Sequence, residues 1–100
     1  MKQIHIKVPP DKIADFCRRN HIRRLAFFGS VLRDDFRPDS DIDVLVEFEP
    51  GHVPGLALIR MQAELSALLG HEIDLVTPKF LNRRIRDRIL SEMEVQYVAG

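Results

Sequence analysis

FFGSVLRDDFRPDSDIDVLVEF, residues 27–48, joins a Gly-Ser turn to an apolar strand that opens with two aspartates. Apolar residues recur at every second position from Ile42 to Phe48, which predicts a strand with one apolar face. Because strand side chains alternate between faces, Asp41 and Asp43 lie on the same face, with Cα atoms about 6.5–7 Å apart. Two such carboxylates repel unless a cation lies between them, and their oxygens suit Mg²⁺ better than zinc. An isolated Asp-x-Asp is more simply a solvated pair, so the interpretation depends on the surrounding pattern.

Helices and strands are predicted to alternate around this stretch, which indicates an α/β fold. The predicted helices run from Asp11, as the cap, to about Arg19; from Pro54 to Leu69, where Gly70 stops the helix; and from Thr77-Pro78 to about Glu92, with a brief helix capped by Ser30 between the first two. The predicted strands are Leu25 to Phe28, buried on both faces, Ile42 to Phe48, and Glu72 to Val76. The inward-facing residues of the last helix are predicted to be Leu81, Ile85, Ile89 and Leu90. Tyr97 follows in a short tail, where we expect it to cover the core.

Length and composition indicate a single globular domain, residues 1–100, since domains most often span about 100–150 residues. The 15 Lys and Arg residues balance 15 Asp and Glu residues, so no overall field attracts nucleic acid, and no direct nucleic-acid binding is expected. No apolar run has the length of a signal peptide or a membrane span. Cys17 is the only cysteine, which excludes an intramolecular disulfide and suits a reducing compartment. These features predict a cytoplasmic protein.

The motif Gly29-Ser30, followed after ten residues by Asp41-x-Asp43, is more specific than any of its parts. With a later strand acid at Asp74, it resembles the minimal nucleotidyltransferases of the DNA polymerase beta superfamily, whose usual pattern is G-S-x-x-R-G through S-D-x-D. The resemblance is strongest over residues 25–46 and extends in element order to about residue 90. It implies a polymerase-beta-like core, built from a small mixed sheet flanked by helices.

This resemblance assigns the acidic residues to metal binding and catalysis. It implies that Asp41, Asp43 and Asp74 hold two Mg²⁺ ions on a nucleoside triphosphate. In this family the third acid also helps to activate the incoming hydroxyl group, a role that falls to Asp74. Glu72 shares a strand face with Asp74 and is the alternative third ligand, but the hydrophobic-Asp-hydrophobic pattern favours Asp74.

The Gly-Ser turn is the predicted nucleotide site. Gly29 allows the backbone to approach a phosphate closely, and Ser30 with the neighbouring N–H groups can hold the outer phosphates. Arg33 either contacts phosphate or braces the loop. Asp34 stands where the family often has glycine, and an extra carboxylate there would weaken triphosphate binding if it pointed inward. A Gly-Ser pair on its own would be an ordinary strand-to-helix turn.

The implied reaction is transfer of AMP from Mg·ATP to a hydroxyl group with release of pyrophosphate. A stand-alone core resembles the antitoxin half of pairs in which a minimal nucleotidyltransferase adenylylates a tyrosine of a helical HEPN-domain toxin. Two alternatives stay open: a non-catalytic module that neutralises a partner by contact, and transfer to a small-molecule hydroxyl group. Homo-oligomer formation is also left open.

Two further groups of residues are predicted to be surface or turn residues rather than metal ligands or catalytic groups. The four histidines, His5, His21, His52 and His71, show no metal-ligand spacing. The basic run of the last helix is expected to form mostly a solvent-facing surface, of which part is a candidate for docking an acidic partner. Its members are Lys79, Arg83, Arg84, Arg86 and Arg88.

Overall fold

A computed structural model describes residues 6–33, 36–37, 39–52 and 54–99 of the chain. Asp34, the departure from the family motif, lies outside these residues. The elements are α1 (Pro10–Arg19), β1 (Ile22–Phe28), a 3₁₀ turn (Gly29–Leu32), β2 (Ile42–Phe48), α2 (Ala57–Leu69), β3 (Ile73–Val76), a second 3₁₀ turn (Pro78–Phe80), α3 (Arg83–Glu92) and β4 (Glu94–Val98). No helix in the described part of the chain is both long enough and apolar enough to cross a membrane.

The strands form one mixed sheet in the order β3-β2-β1-β4. β1 pairs antiparallel with β2 and with β4, whereas β2 and β3 pair parallel. Parallel neighbours need a crossover connection, and α2 provides it between β2 and β3. The prediction of a small mixed sheet with helices is therefore confirmed.

The main core covers one face of this sheet. Val44 and Val46 of β2 pair with Phe27 and Leu25 of β1, and all four are buried. The helical side chains packed into the same cluster are Ile13, Phe16 and Cys17 of α1, and Met61, Leu65 and Leu69 of α2. Because side chains alternate along β2, Asp43 lies on the opposite face. The core thus packs on the sheet face opposite to the one that carries Asp43.

The prediction of one continuous helix from Thr77-Pro78 to about Glu92 is wrong. The chain forms only a 3₁₀ turn after Thr77, and α3 starts afresh with Asn82 as its N-cap, whose side-chain oxygen accepts a hydrogen bond from the Ile85 N–H at 3.0 Å. Ile85, predicted to face inward, has 46% of its surface exposed, and no residue of α3 is fully buried. The capping side chain satisfies an N–H that would otherwise lack a partner, so the helix begins at this point.

The C-terminal tail forms an unpredicted strand, β4, paired with β1. Tyr97 lies opposite Leu25 and packs against the core cluster, which confirms its expected role as core cover. Val95 and Tyr97 are strand-forming residues at alternating positions, but five residues give a weak signal without knowledge of the neighbouring strand.

Two predicted caps are also wrong. α1 begins at Pro10 with Pro9 in the N-cap position, so Asp11 lies in the first turn and caps nothing. The turn after β1 begins at Gly29 itself, with Phe28 in the N-cap position and Ser30 inside the turn. In neither case does the side chain of the N-cap residue accept a hydrogen bond from a backbone N–H of the first turn.

Candidate functional site

The three predicted acidic residues come together on the sheet face away from the main core. Asp43 of β2 is the direct register partner of Asp74 of β3, so their side chains leave the same face at the same level. Asp41 immediately precedes β2 and shares the strand face of Asp43. Asp43 is half-buried, whereas Asp41 and Asp74 are exposed. The pairing of β2 with β3 therefore joins residues that are far apart in sequence.

Electrostatics at this cluster favour a bound cation. Burial raises the pKa of Asp43 above its ordinary value of 3.8, the negative charges of Asp74 and Asp41 raise it further, and the charge of Arg33 acts in the opposite direction. A divalent cation would relieve the repulsion among the three carboxylates, and an all-oxygen donor set suits Mg²⁺. The donor chemistry of these residues therefore fits the metal that the sequence motif implies, while their ligand atoms do not all lie within 4.8 Å of one another in this structure.

The Gly-Ser turn lies directly beside Asp43, because Phe28 is the register partner of Asp43 across β1 and β2. Gly29 has a φ of +78°, and a Cβ atom at this position would lie 2.3 Å from the Asp43 Oδ2 atom. The Ser30 hydroxyl donates a long hydrogen bond of 3.5 Å to the Asp41 carbonyl oxygen. Glycine thus leaves room for the half-buried carboxylate, and the turn is tied to the start of β2.

The structure brings the other predicted residues near this site to different degrees. Arg33 is exposed and close enough for its charge to lower the pKa of Asp43. Glu72 is exposed, precedes β3, and holds the start of β2 through its carbonyl oxygen, which accepts a hydrogen bond from the Ile42 N–H at 2.9 Å. Asp74, by contrast, is the register partner of Asp43, and its charge raises the pKa of Asp43. This geometry supports Asp74 over Glu72 as the third acid.

One grouping of polar side chains was not indicated by sequence spacing. His21, Glu49 and His52 lie together beyond the end of β2 that is remote from the acidic residues. His52 follows Glu49 by three residues in a Pro-Gly turn, which is a weak local signal. Nothing in the sequence connects His21 to that turn.

Comparison with known proteins agrees with the fold and the motif. Residues 10–95 match the family model described as a nucleotidyltransferase domain. A candidate protein adenylyltransferase of Methanocaldococcus jannaschii is 38% identical over 81 residues, which cover 81% of this chain and 86% of the relative. The protein adenylyltransferase MntA of Thermococcus cleftensis is 38% identical over 73 residues, which cover 72% of each chain.

Solved structures show the same fold. A candidate minimal nucleotidyltransferase has a TM-score of 0.72 and 36% identity, with coverage of 85% of this chain and 86% of that one. A toxin–antitoxin complex with AMP-PNP has a TM-score of 0.75 at 19% identity, covering 93% of this chain and 76% of that one. A complex of tri-AMPylated Shewanella oneidensis HEPN toxin with its MNT antitoxin has a TM-score of 0.66 at 20% identity, covering 90% and 70%. By its family match and its similarity to the Methanocaldococcus relative, this chain belongs to the nucleotidyltransferase domain family and is a nucleotidyltransferase.

Proposed function

We propose that this nucleotidyltransferase transfers AMP from ATP to a hydroxyl group of a partner protein, with Mg²⁺ held by Asp41, Asp43 and Asp74. The observation that carries the proposal is the direct pairing of Asp43 with Asp74 beside the Gly29 turn. Three carboxylates and a close backbone approach on one sheet face suit a metal-bound triphosphate. Relatives named as protein adenylyltransferases support AMP as the transferred group and protein as the acceptor.

Each residue has a role that follows from its chemistry. Asp41, Asp43 and Asp74 would hold Mg²⁺, which would supply positive charge to the triphosphate and to the entering and leaving oxygens. The turn at Gly29 and Ser30 admits the outer phosphates close to the backbone, and Arg33 contributes positive charge at the rim. Asp74 is exposed on the same face and accepts the proton of the attacking hydroxyl group.

In the reaction, the acceptor oxygen forms a bond to the α-phosphorus while the bond between that phosphorus and the pyrophosphate oxygen breaks. The acceptor is thereby left with one AMP group, and pyrophosphate is released. The protein supplies position and charge, because phosphoryl-type transfers need little covalent participation from the enzyme.

The partner in this proposal is a HEPN-domain toxin, and the acceptor is a tyrosine hydroxyl of that toxin. The fold shared with antitoxins of HEPN pairs supports this choice, as does the relative named MntA. ATP and the toxin meet in the cytoplasm, which is where we place the reaction; the lone, buried Cys17 is compatible with that compartment.

The test uses ATP labelled at the α-phosphate, ATP labelled at the γ-phosphate, and a small all-helical protein encoded in a neighbouring reading frame. We expect the α-label, but not the γ-label, to appear on the helical protein, and only when Mg²⁺ is present. Asp41→Asn with Asp43→Asn serves as the inactive control. If γ-label is transferred instead, the protein is a kinase; if no label is transferred, the proposed acceptor is wrong.

A further inference from the structure

A second cluster of ligand-type side chains lies at the opposite end of β2 from the acidic residues. Its members are His21, Glu49 and His52, each of which offers a ligand atom within 4.8 Å of the other two. Across residues 6–33, 36–37, 39–52 and 54–99, no other three His, Cys, Asp or Glu side chains are grouped this closely. A strand rises about 3.3 Å per residue, so Glu49 lies about 20 Å along the chain from Asp43. The cluster is therefore separate from the proposed nucleotide site.

Backbone hydrogen bonds fix the positions of the three residues relative to each other. The Glu49 N–H donates to the His21 carbonyl oxygen at 2.9 Å, and the His52 N–H donates to the Glu49 carbonyl oxygen at 3.0 Å. Gly51, with a φ of +84°, completes the turn between Glu49 and His52. His21 has a φ of +56° and is the only non-glycine residue in the described part of the chain with a positive φ. His21 directly follows the C-cap residue Asn20, a position where a left-handed residue commonly ends a helix.

The imidazole rings lie close together but are stacked, so one ring must turn before both can direct a nitrogen lone pair at the same ion. The centroids of the His21 and His52 rings are 3.9 Å apart, and their planes differ by 10°. Both side chains are exposed, and Glu49 is half-buried. His21 and His52 line a cleft of about 250 Å³, whereas Glu49 and His52 line one of about 430 Å³, so a hydrated ion has access to the cluster.

The charge balance around the cluster also suits a cation. Glu49 forms no ion pair with any described residue. Arg19 borders the cleft of the two histidines, but it pairs with Asp15 at 2.9 Å and with Glu64 at 2.5 Å; Lys79 borders the cleft of Glu49 and His52 without pairing with Glu49. The charge of Arg19 is thus compensated elsewhere, and the Glu49 carboxylate is available to an ion.

We propose that His21, Glu49 and His52 bind Zn²⁺ or a similar divalent transition-metal ion. Two imidazoles and one carboxylate are a ligand set that zinc accepts, with a fourth position left for water. Imidazole ligands favour transition metals over Mg²⁺, so this site and the proposed Mg²⁺ site select different ions. The bound ion would join the turn between α1 and β1 to the turn after β2, and would stabilise the fold by binding the native state.

The test is zinc titration by calorimetry on untagged, EDTA-treated protein that carries Asp41→Asn and Asp43→Asn to remove the competing acidic site. We expect one zinc ion per chain. His21→Ala and His52→Ala are each expected to weaken binding by more than about tenfold, since removing even an outer-shell partner of a metal ligand can cost 10–100-fold. The matched control is His71→Ala, whose ring packs against Phe36 away from the cluster and whose loss is expected to leave this binding unchanged.

Two further readouts do not depend on nucleotidyl transfer. Co²⁺ is expected to give visible absorption bands with the parent protein but not with His52→Ala, and Zn²⁺ is expected to raise the unfolding temperature of the parent only. Circular dichroism in EDTA checks that the variants fold. If zinc does not bind, or if it binds His21→Ala and His52→Ala as tightly as the parent, the histidines only stack on each other and the proposal is wrong.

Discussion

The Asp43 carboxylate lies in the space that a side chain at position 29 would occupy, since a Cβ atom on Gly29 would come 2.3 Å from Asp43 Oδ2. Gly29 also has a φ of +78°, a region that other residues rarely adopt. Glycine is therefore needed twice, once for its backbone conformation and once for the room it leaves to a proposed metal ligand.

Gly29→Ala is expected to lower both stability and nucleotide binding. The left-handed backbone costs a residue with a Cβ atom about 1–2 kcal/mol, while the Asp43 carboxylate can rotate away from the new methyl group and thereby leave its position. Urea unfolding and ATP calorimetry measure the two effects. Ser30→Ala is the matched comparison, because it removes only one hydroxyl group. It is expected to weaken ATP binding by one hydrogen bond, or about 0.5–1.5 kcal/mol. Equal ATP affinity in both variants and the parent would place the phosphate site elsewhere.

Asp43→Asn is expected to stabilise the metal-free protein while abolishing transfer. The pKa of Asp43 is raised in the folded state, chiefly by burial, so folded protein retains a proton that the unfolded chain loses above about pH 3.8. The free energy of unfolding therefore falls as the pH rises from that value through the folded-state pKa, and the loss persists at neutral pH. The amide removes this penalty.

Thermal unfolding in EDTA as a function of pH checks this prediction. At neutral pH we expect the melting temperature of Asp43→Asn to exceed that of the parent, and the difference to shrink toward low pH. Asp87→Asn, at an exposed position of α3, is the control. A lower melting temperature for Asp43→Asn at neutral pH would contradict the raised pKa of Asp43 that burial and the neighbouring carboxylates cause.

ATP binding is expected to require a divalent ion. Three carboxylates on one sheet face repel a triphosphate unless a cation lies between them. Calorimetry measures the ATP affinity with Mg²⁺ present and after EDTA treatment. The difference between these two affinities is expected to vanish in the Asp41→Asn, Asp43→Asn double variant. ATP affinity that is unaffected by chelation in the parent would exclude the proposed metal role.

Asn82→Ala is expected to destabilise the fold by about 1 kcal/mol without affecting transfer. It removes the side-chain acceptor of the Ile85 N–H at the start of α3, and N-cap losses cost about 0.5–2 kcal/mol. Asn82→Asp keeps an acceptor and is expected to retain stability. The midpoint of urea unfolding is the measurement. Unchanged stability of Asn82→Ala would mean that the N-terminal end of α3 is not held by its cap.

The sequence predicted β2 and the acidic motif because both depend on local alternation and spacing. The Asp43 contact with Gly29 was not predictable, since it depends on the register that places Phe28 opposite Asp43. β4 was missed for a similar reason: its five residues become a strand through pairing with β1, which is distant in sequence. The break before α3 was missed because the hydrophobic spacing continues through Asn82 although the helix does not.

Asp74→Asn tests most directly whether the acidic residues catalyse AMP transfer to a partner. Asp41, Asp43 and the Gly29 turn remain in this variant, so we expect it to bind Mg·ATP and to dock its helical partner. Transfer is expected to collapse, because a proton acceptor acts mainly in the transition state.

The measurement is the intact mass of the helical partner after incubation with ATP, Mg²⁺ and either the parent or Asp74→Asn, alongside growth of cells that express both proteins. We expect one or more added AMP groups with the parent, none with Asp74→Asn, and rescue of growth only by the parent. An unmodified partner together with full rescue by Asp74→Asn would contradict adenylylation and leave a protein that neutralises its partner by contact alone.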